Sequence, residues 1–167
     1  QGQFVQHQYG EDDTLLLQST GRFAVLRPGY FSWQIATPDD QLIVADTQFI
    51  WHHDRDLQTV TRRPTPTGPE ATPLQILGGD ADSLGDSFAV EKNASGVFTL
   101  TPKVEGAGFR SLRLTLEEGL LSRMEVRDNL DQRIVVEFRD VDSASPLQPA
   151  DFAFTPPEGA DLFYHDQ

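Results

Sequence analysis

Cysteine is absent from the 167 residues, and methionine occurs only once. A chain without thiols forms no disulfide, offers no thiolate nucleophile and builds no Cys-ligated zinc site. The absence of cysteine does not determine the cellular compartment, because a cysteine-free chain is compatible with both the cytosol and the periplasm. The sequence also lacks a run of about 18 apolar residues, so no membrane-spanning helix is predicted.

Positive charge is scarce. Lys and Arg together number 13 against 26 Asp and Glu, which gives a formal net charge of -13. Nucleic acid is therefore not an expected partner, since phosphate binding depends on a basic patch. A basic protein surface, by contrast, would be attracted to this acidic chain. A hydrophobic fraction of 38% is within the globular range, and we expect residues 1–167 to form a single domain.

Recognisable catalytic motifs are also missing. The sequence has no Gly-x-Ser-x-Gly nucleophile elbow, and Gly78-Gly79 follows a predicted helix, whereas a phosphate-binding loop precedes one. Acidic pairs such as Asp39-Asp40 stand beside turn signals, where turn formation and solubility explain them. Adjacent His52 and His53 would point to opposite faces of a strand, which disfavours joint metal ligation. We expect no catalytic residue, no metal and no cofactor, and therefore a protein that is not an enzyme.

Apolar and polar residues alternate along most of the chain. In residues 30–35, Phe31, Trp33 and Ile35 share one bulky apolar face, which is typical of a half-buried β-strand. Short strands joined by tight turns predict antiparallel hairpins, and the 11 Phe and 2 Trp suit a sheet that curls around an interior. We predict a barrel or a partly closed one. The other predicted strands are residues 14–25, 41–45, 48–52, 59–62, 87–91, 96–101, 110–116, 120–127 and 132–138.

One stretch departs from the strand pattern. A Pro-rich segment at residues 63–69 leads into a short predicted helix, which Thr72 can cap, with Pro73 at its first position and Gly78 as its stop. A helix of about eight residues is not stable alone, so it must rest on apolar surface. We expect a mobile lid over the open side of the sheet, with Leu74, Ile76 and Leu77 as its apolar residues.

Arg27 ends an apolar strand and precedes the aromatic residues 30–33. Its five fixed donors could hold several carbonyl oxygens at the rim of an apolar concavity. The alternative is an ordinary exposed arginine at a strand end. The residues alone leave both interpretations open.

A series of short motifs runs through nearly the whole chain. It consists of Arg-Pro-Gly-Tyr-Phe-Ser-Trp at 27–33 with Pro38 and Asp39 after it, Leu-Ile-Val-Ala-Asp at 42–46, Trp51, Thr-Pro-Leu-Gln-Ile-Leu at 72–77, Phe-Thr-Leu-Thr-Pro-Lys at 98–103, Gln132, and Phe-Ala-Phe-Thr-Pro-Pro-Glu-Gly-Ala-Asp at 152–161. No single motif is decisive. Together, and in this order, they resemble the periplasmic outer-membrane lipoprotein carrier family, LolA.

The resemblance implies an unclosed antiparallel β-barrel, or half-barrel, with a short α-helical lid over an apolar cavity. It implies a periplasmic chaperone of Gram-negative bacteria whose cargo is acylated lipoproteins. These would come from an inner-membrane ABC-type lipoprotein-releasing complex and pass to an outer-membrane lipoprotein receptor. The first residue is Gln1 rather than Met, in keeping with a removed signal peptide. Mobility between partners favours a monomer.

The same resemblance implies roles for particular residues. Arg27 matches the family's arginine that hydrogen-bonds the lid in the closed state, and Leu74, Ile76 and Leu77 fall on the lid. Six residues are expected on strand positions that line the apolar cavity, namely Phe31, Trp33, Ile43, Trp51, Phe98 and Leu100.

Two departures from the family pattern bear on these expectations. The family has a helix before its first strand, whereas this sequence begins at Gln1 with strand-like residues, so part of the cover is expected to be missing from it. The sequence leaves open whether this helix was trimmed or is truly absent. The family's Asp-Gly turn reads Asp46-Thr47 here, which predicts a less tightly specified turn.

Two other functions fit parts of the pattern. A half-barrel lipid sensor that regulates an envelope stress response would keep the fold, but such regulators carry an additional domain. A lipid-modifying enzyme would need a nucleophile or metal site, for which the sequence offers no convincing candidate.

Overall fold

The computed structural model contains one twelve-stranded β-sheet. It describes residues 1–26, 29–37, 39–65, 76, 85, 88–103, 109–118, 120–142 and 146–164. This architecture confirms the mainly β fold class. The strands are β1 (Gly2–Tyr9), β2 (Leu15–Leu26), β3 (Tyr30–Thr37), β4 (Gln41–Ala45), β5 (Phe49–Asp54), β6 (Thr59–Pro64), β7 (Phe88–Lys92), β8 (Val97–Pro102), β9 (Ser111–Glu117), β10 (Leu120–Arg127), β11 (Arg133–Arg139) and β12 (Asp161–Tyr164).

The strand order is β12-β6-β5-β4-β3-β2-β1-β11-β10-β9-β8-β7. Two antiparallel meanders, β2 to β6 and β7 to β11, meet at β1, which pairs with both β2 and β11. At one edge β12 pairs with β6 in parallel. In the described part of the chain the two edge strands do not pair with each other, so the sheet is not closed. This agrees with the predicted half-barrel.

The sheet is strongly curved. Strands β3 and β11 are three steps apart, which would separate them by about 14 Å in a flat sheet. Yet the ring centroids of Trp33 and Phe138 lie only 6.3 Å apart. Phe4, on the strand between them, stacks on Trp33 at 3.9 Å. The concave face therefore closes on itself and encloses the aromatic core.

Side-chain oxygens hold several of the predicted turns. Asn93 Oδ1 accepts hydrogen bonds from the backbone N–H groups of Ser95 and Val97, at 2.9 and 3.0 Å. Asp46 Oδ1 accepts from the N–H groups of Gln48 and Phe49, at 2.8 and 2.7 Å. The aspartate thus fixes the β4–β5 turn without a following glycine, so the turn is better specified than the sequence suggested.

Gly21 is a point of close backbone approach between β2 and β3. It lies at a register irregularity between β2 and β3. A Cβ at this position would be 1.8 Å from the carbonyl oxygen of Gln34 and 2.8 Å from Cζ of Phe4. The absent side chain is what lets β3 and the Phe4 ring pack against β2.

The convex face is covered in part by the C-terminal segment. A short 3₁₀ turn, Pro149–Phe152, places Phe152 5.7 Å from the ring of Tyr30. Phe154 follows and contacts Trp51 at 5.2 Å. Aromatic contacts therefore cover part of the outer face of β3 and β5 as well. Among the described residues, no helix is long and apolar enough to cross a membrane.

Candidate functional site

An apolar cavity of about 300 Å³ lies on the concave face. One wall comes from β3, β4 and β5, and the other from β10 and β11, which curvature brings opposite. Gln6 and Arg63 are the polar residues among those found in its lining. The apolar lining residues are Phe31, Trp33, Ile35, Ile43 and Ile50 on the first wall, and Met124, Val126, Ile134 and Val136 on the second.

Strand register explains why these residues share one face. Trp33 pairs with Ile43, and Phe31 pairs with Ala45, so alternate residues of β3 and β4 point inward together. Ala45 in turn pairs with Ile50, which extends the apolar face to β5. The period-2 alternation seen in the sequence thus becomes a continuous wall.

Three predicted cavity residues come together in this wall. Phe31 and Trp33 are buried, at 3% and 4% exposed, and Ile43 packs against both core clusters. Phe98 and Leu100 also face inward, but they belong to β8, near the opposite edge of the sheet. They contribute to the core rather than to the lining found for this cavity.

Trp51 lies elsewhere. Register places it beside Val44, on the face opposite to Ile50. Its ring contacts Phe154 and Tyr164 of the C-terminal segment, at 5.2 and 6.0 Å. The structure therefore turns this tryptophan to the convex side, where it holds the C-terminal segment.

The predicted latch and most of the predicted lid belong to parts of the chain that the structure does not describe. Arg27, Leu74 and Leu77 lie outside the described residues. Ile76 is described, is only 3% exposed and belongs to the core cluster that contains Trp33 and Phe4. A residue that the sequence assigned to the lid thus packs against the concave face, while the helical lid itself is not among the described elements.

A second, more polar cavity of about 390 Å³ adjoins the first. Ile43, Ile50 and Arg63 line both cavities, and His52 and Thr61 complete the lining found for the second. The register pairs His52 with Thr61, and Ile50 with Arg63, across β5 and β6. The apolar face therefore changes into a polar one along these two strands.

His52 Nε2 lies 2.9 Å from Oε1 of Gln41, which accepts the hydrogen bond. Partial burial lowers the pKa of His52 below its ordinary value of 6.5; nearby Asp54 opposes this shift, whereas Arg63 adds to it. The lowered pKa favours the neutral imidazole. His53 lies on the other face, 5.8 Å from the ring of Phe154, as expected for adjacent strand residues.

Sequence reasoning missed Arg63, His52 and Gln6 as parts of the site. The sequence held a signal for His52 and Arg63. Side chains alternate along a strand, so His52 lies on the same face as Ile50, and the register of the β5–β6 hairpin places Arg63 opposite Ile50 on that face. Chemically, the pair of cavities can accept a molecule that is apolar at one end and has hydrogen-bond acceptors at the other. No group in this arrangement resembles a nucleophile with its base.

Comparison with known proteins identifies the family. The profile of the outer membrane lipoprotein carrier protein LolA matches residues 1–155. The chain belongs to the LolA family. Because this is a family of carriers, the expectation of a non-enzymatic binding protein is confirmed.

Curated relatives agree with this assignment. The outer-membrane lipoprotein carrier protein of Chromohalobacter salexigens is 35% identical over 150 residues, which cover 88% of this chain and 71% of the relative. The protein of the same description from Azotobacter vinelandii is 36% identical over 152 residues, covering 89% and 73%. Both alignments span most of the chain, so the relationship is not confined to one motif.

The fold also has a solved counterpart. The crystal structure of an uncharacterized conserved protein from Thermus thermophilus superposes with a TM-score of 0.53. It covers 98% of this chain and 91% of that protein, with 12% sequence identity. At this level of identity the similarity concerns the fold.

Proposed function

We propose that this LolA-family chain is a periplasmic chaperone that carries acylated lipoproteins between membranes. Its cargo would leave an ABC-type complex in the inner membrane and pass to a lipoprotein receptor in the outer membrane. The observation that carries the proposal is the apolar cavity between the two walls of an unclosed sheet. Such a cavity can shield hydrocarbon and still open to release it.

The energetics of the cargo require such a cavity. Each buried methylene contributes about 0.8 kcal/mol, so one acyl chain of about 14 methylenes loses roughly 11 kcal/mol when it is exposed to water. A carrier must remove most of this cost during transit. It must also release the chain, so part of the gain has to be offset by an interaction that cargo entry breaks.

Following the family resemblance, we propose that Arg27 makes the interaction that cargo entry breaks. Hydrogen bonds from its guanidinium to lid carbonyl groups would be charge-assisted and worth on the order of 1.5 to 3 kcal/mol each. Cargo entry would break them, and their re-formation would favour release. Arg27→Leu should therefore retain cargo and transfer less of it to the receptor in a reconstituted assay. Undiminished transfer by this variant would contradict the latch.

Cargo binding can be measured inside the cavity itself. The chain has two tryptophans, and only Trp33 lies in the lining found for the apolar cavity. In a Trp51→Phe background, Trp33 becomes the single reporter. A triacylated lipopeptide with brominated acyl chains should quench its fluorescence, because bromine quenches indole on contact. If neither quenching nor retention of the lipopeptide on the protein is seen, the carrier function is refuted.

A further inference from the structure

Arg63 lies at the boundary between the two cavities. It lines the apolar cavity together with Phe31 and Trp33, and the polar cavity together with His52 and Thr61. The long apolar stem of an arginine can lie along hydrocarbon while its guanidinium reaches polar groups. Any molecule that fills both cavities must pass this side chain.

The charge of Arg63 is not neutralised within the sheet. Other arginines have ion-pair partners, for example Arg55 with Asp40 at 3.1 Å and Arg133 with Glu125 at 3.7 Å. No acidic side chain of the described residues forms an ion pair with Arg63. The carboxylate of Asp54, on the same face, accepts a hydrogen bond from Leu57 N–H instead. A guanidinium so placed is available to a ligand.

In the part of the chain that the structure describes, no acidic residue is found in the lining of the second cavity. Thr61 carries a hydroxyl that can donate a hydrogen bond, whereas the N–H group of His52 is already directed at Gln41. A guanidinium beside a hydroxyl donor suits uncharged carbonyl oxygens as well as anions. An ester-linked acyl chain supplies such an oxygen at the point where its hydrocarbon ends.

We propose that Arg63 is the head-group anchor of the carrier, and that it hydrogen-bonds the ester carbonyl oxygens of an acylated lipopeptide whose chains fill the apolar cavity. This rests on the proposed function and adds a polar recognition element to it. Arg63 thereby fixes how far the acyl chains enter, because the carbonyl groups stop at the boundary between the two cavities.

Ester and ether lipids test this proposal directly. The probes are a triacylated lipopeptide with ester-linked glyceryl chains and its analogue with ether-linked chains, which lacks those two carbonyl oxygens. All lipid probes carry brominated acyl chains, and the Trp51→Phe protein serves as the parent. Dissociation constants are measured by quenching of Trp33 in this parent and in its Arg63→Met and Arg113→Met variants. Arg113 is the matched control, since it is an exposed arginine of β9 that is not among the residues found lining either cavity.

The parent protein should bind the ester lipid about tenfold more tightly than the ether lipid, as expected for loss of a charge-assisted hydrogen bond. Arg63→Met should bind the ester lipid about tenfold more weakly and show no preference between the two. Arg113→Met should behave like the parent. The comparison of lipids on the parent protein needs no substitution at Arg63, so it stands whatever that substitution does to folding.

The remaining outcomes separate the two proposals. If the parent binds both lipids equally and Arg63→Met is unchanged, the anchor is refuted and the carrier function stands. If the parent binds neither lipid, the carrier function fails as well. Palmitate is the third probe. If Arg63→Met weakens binding of palmitate but not of the ester lipid, the group recognised is a free carboxylate, and the proposal is overturned.

Discussion

Replacing Gly21 with alanine should strongly destabilise the protein. The added Cβ would lie 1.8 Å from the carbonyl oxygen of Gln34, whereas ordinary contacts begin at 3.4 Å. Strand β3 would have to move away by about 1.6 Å, or the ladder between β2 and β3 would have to break. Phe4 would be displaced too, because its Cζ atom would lie 2.8 Å from the new methyl group.

Overpacking on this scale costs about 3 kcal/mol. For a chain of this length that corresponds to a fall in Tm of roughly 6 to 12 °C. Urea unfolding followed by tryptophan fluorescence measures the loss and also reports on the Phe4–Trp33 stack. Gly85→Ala is the matched control, since a Cβ there meets nothing within 4 Å and should leave stability unchanged or slightly raised. If Gly21→Ala unfolds at the same urea concentration as the parent, the close approach at this glycine is not a constraint.

Two further predictions concern the strands next to the polar cavity. In an NMR titration the pKa of His52 should lie below 6.5; Arg63→Met should raise it, because that charge opposes protonation, and Asp54→Asn should lower it further. As the pH falls, the unfolded chain protonates His52 at a higher pH than the folded protein does. His52 therefore contributes stability above pH 6.5 that is lost as the pH falls through its folded-state pKa. An NMR titration midpoint of His52 at or above pH 6.5 would contradict this prediction. On the convex face, the Arg62 guanidinium lies 4.4 and 4.2 Å from the ring centroids of Phe49 and Tyr164. Arg62→Met should cost about 1 kcal/mol and speed hydrogen exchange in β12, and equal exchange in Arg62→Met and Arg113→Met would refute that role.

The sheet was predictable where turn residues flank a short strand. Strands β4 and β10 have the predicted bounds, because the turns on either side of each strand set the same limits. Strand β12 was missed. It has four exposed residues and pairs in parallel with a distant strand, so neither alternation nor a hairpin turn marks it.

The candidate site was predictable in part for the same reason. Phe31 and Trp33 alternate with polar residues, which assigns them to the cavity face. Ile50 and Trp51 are adjacent apolar residues on a strand covered on both sides, so hydrophobicity does not distinguish the inner from the outer residue. Only the register between β4 and β5 shows which of the two faces the cavity. Ion pairing depends on the folded arrangement, so the sequence does not reveal that Arg63 is left without an ion pair among the described residues.

The central position of β1 has a consequence for how the protein matures. Each meander joins strands that are neighbours in sequence, so each can form soon after its residues are synthesised. The pairing of β1 with β11, by contrast, closes a loop of roughly 130 residues. The cavity takes one wall from each meander, so it is incomplete until this long-range pairing forms. We therefore expect a newly made chain to hold hydrocarbon only after β1 and β11 have paired.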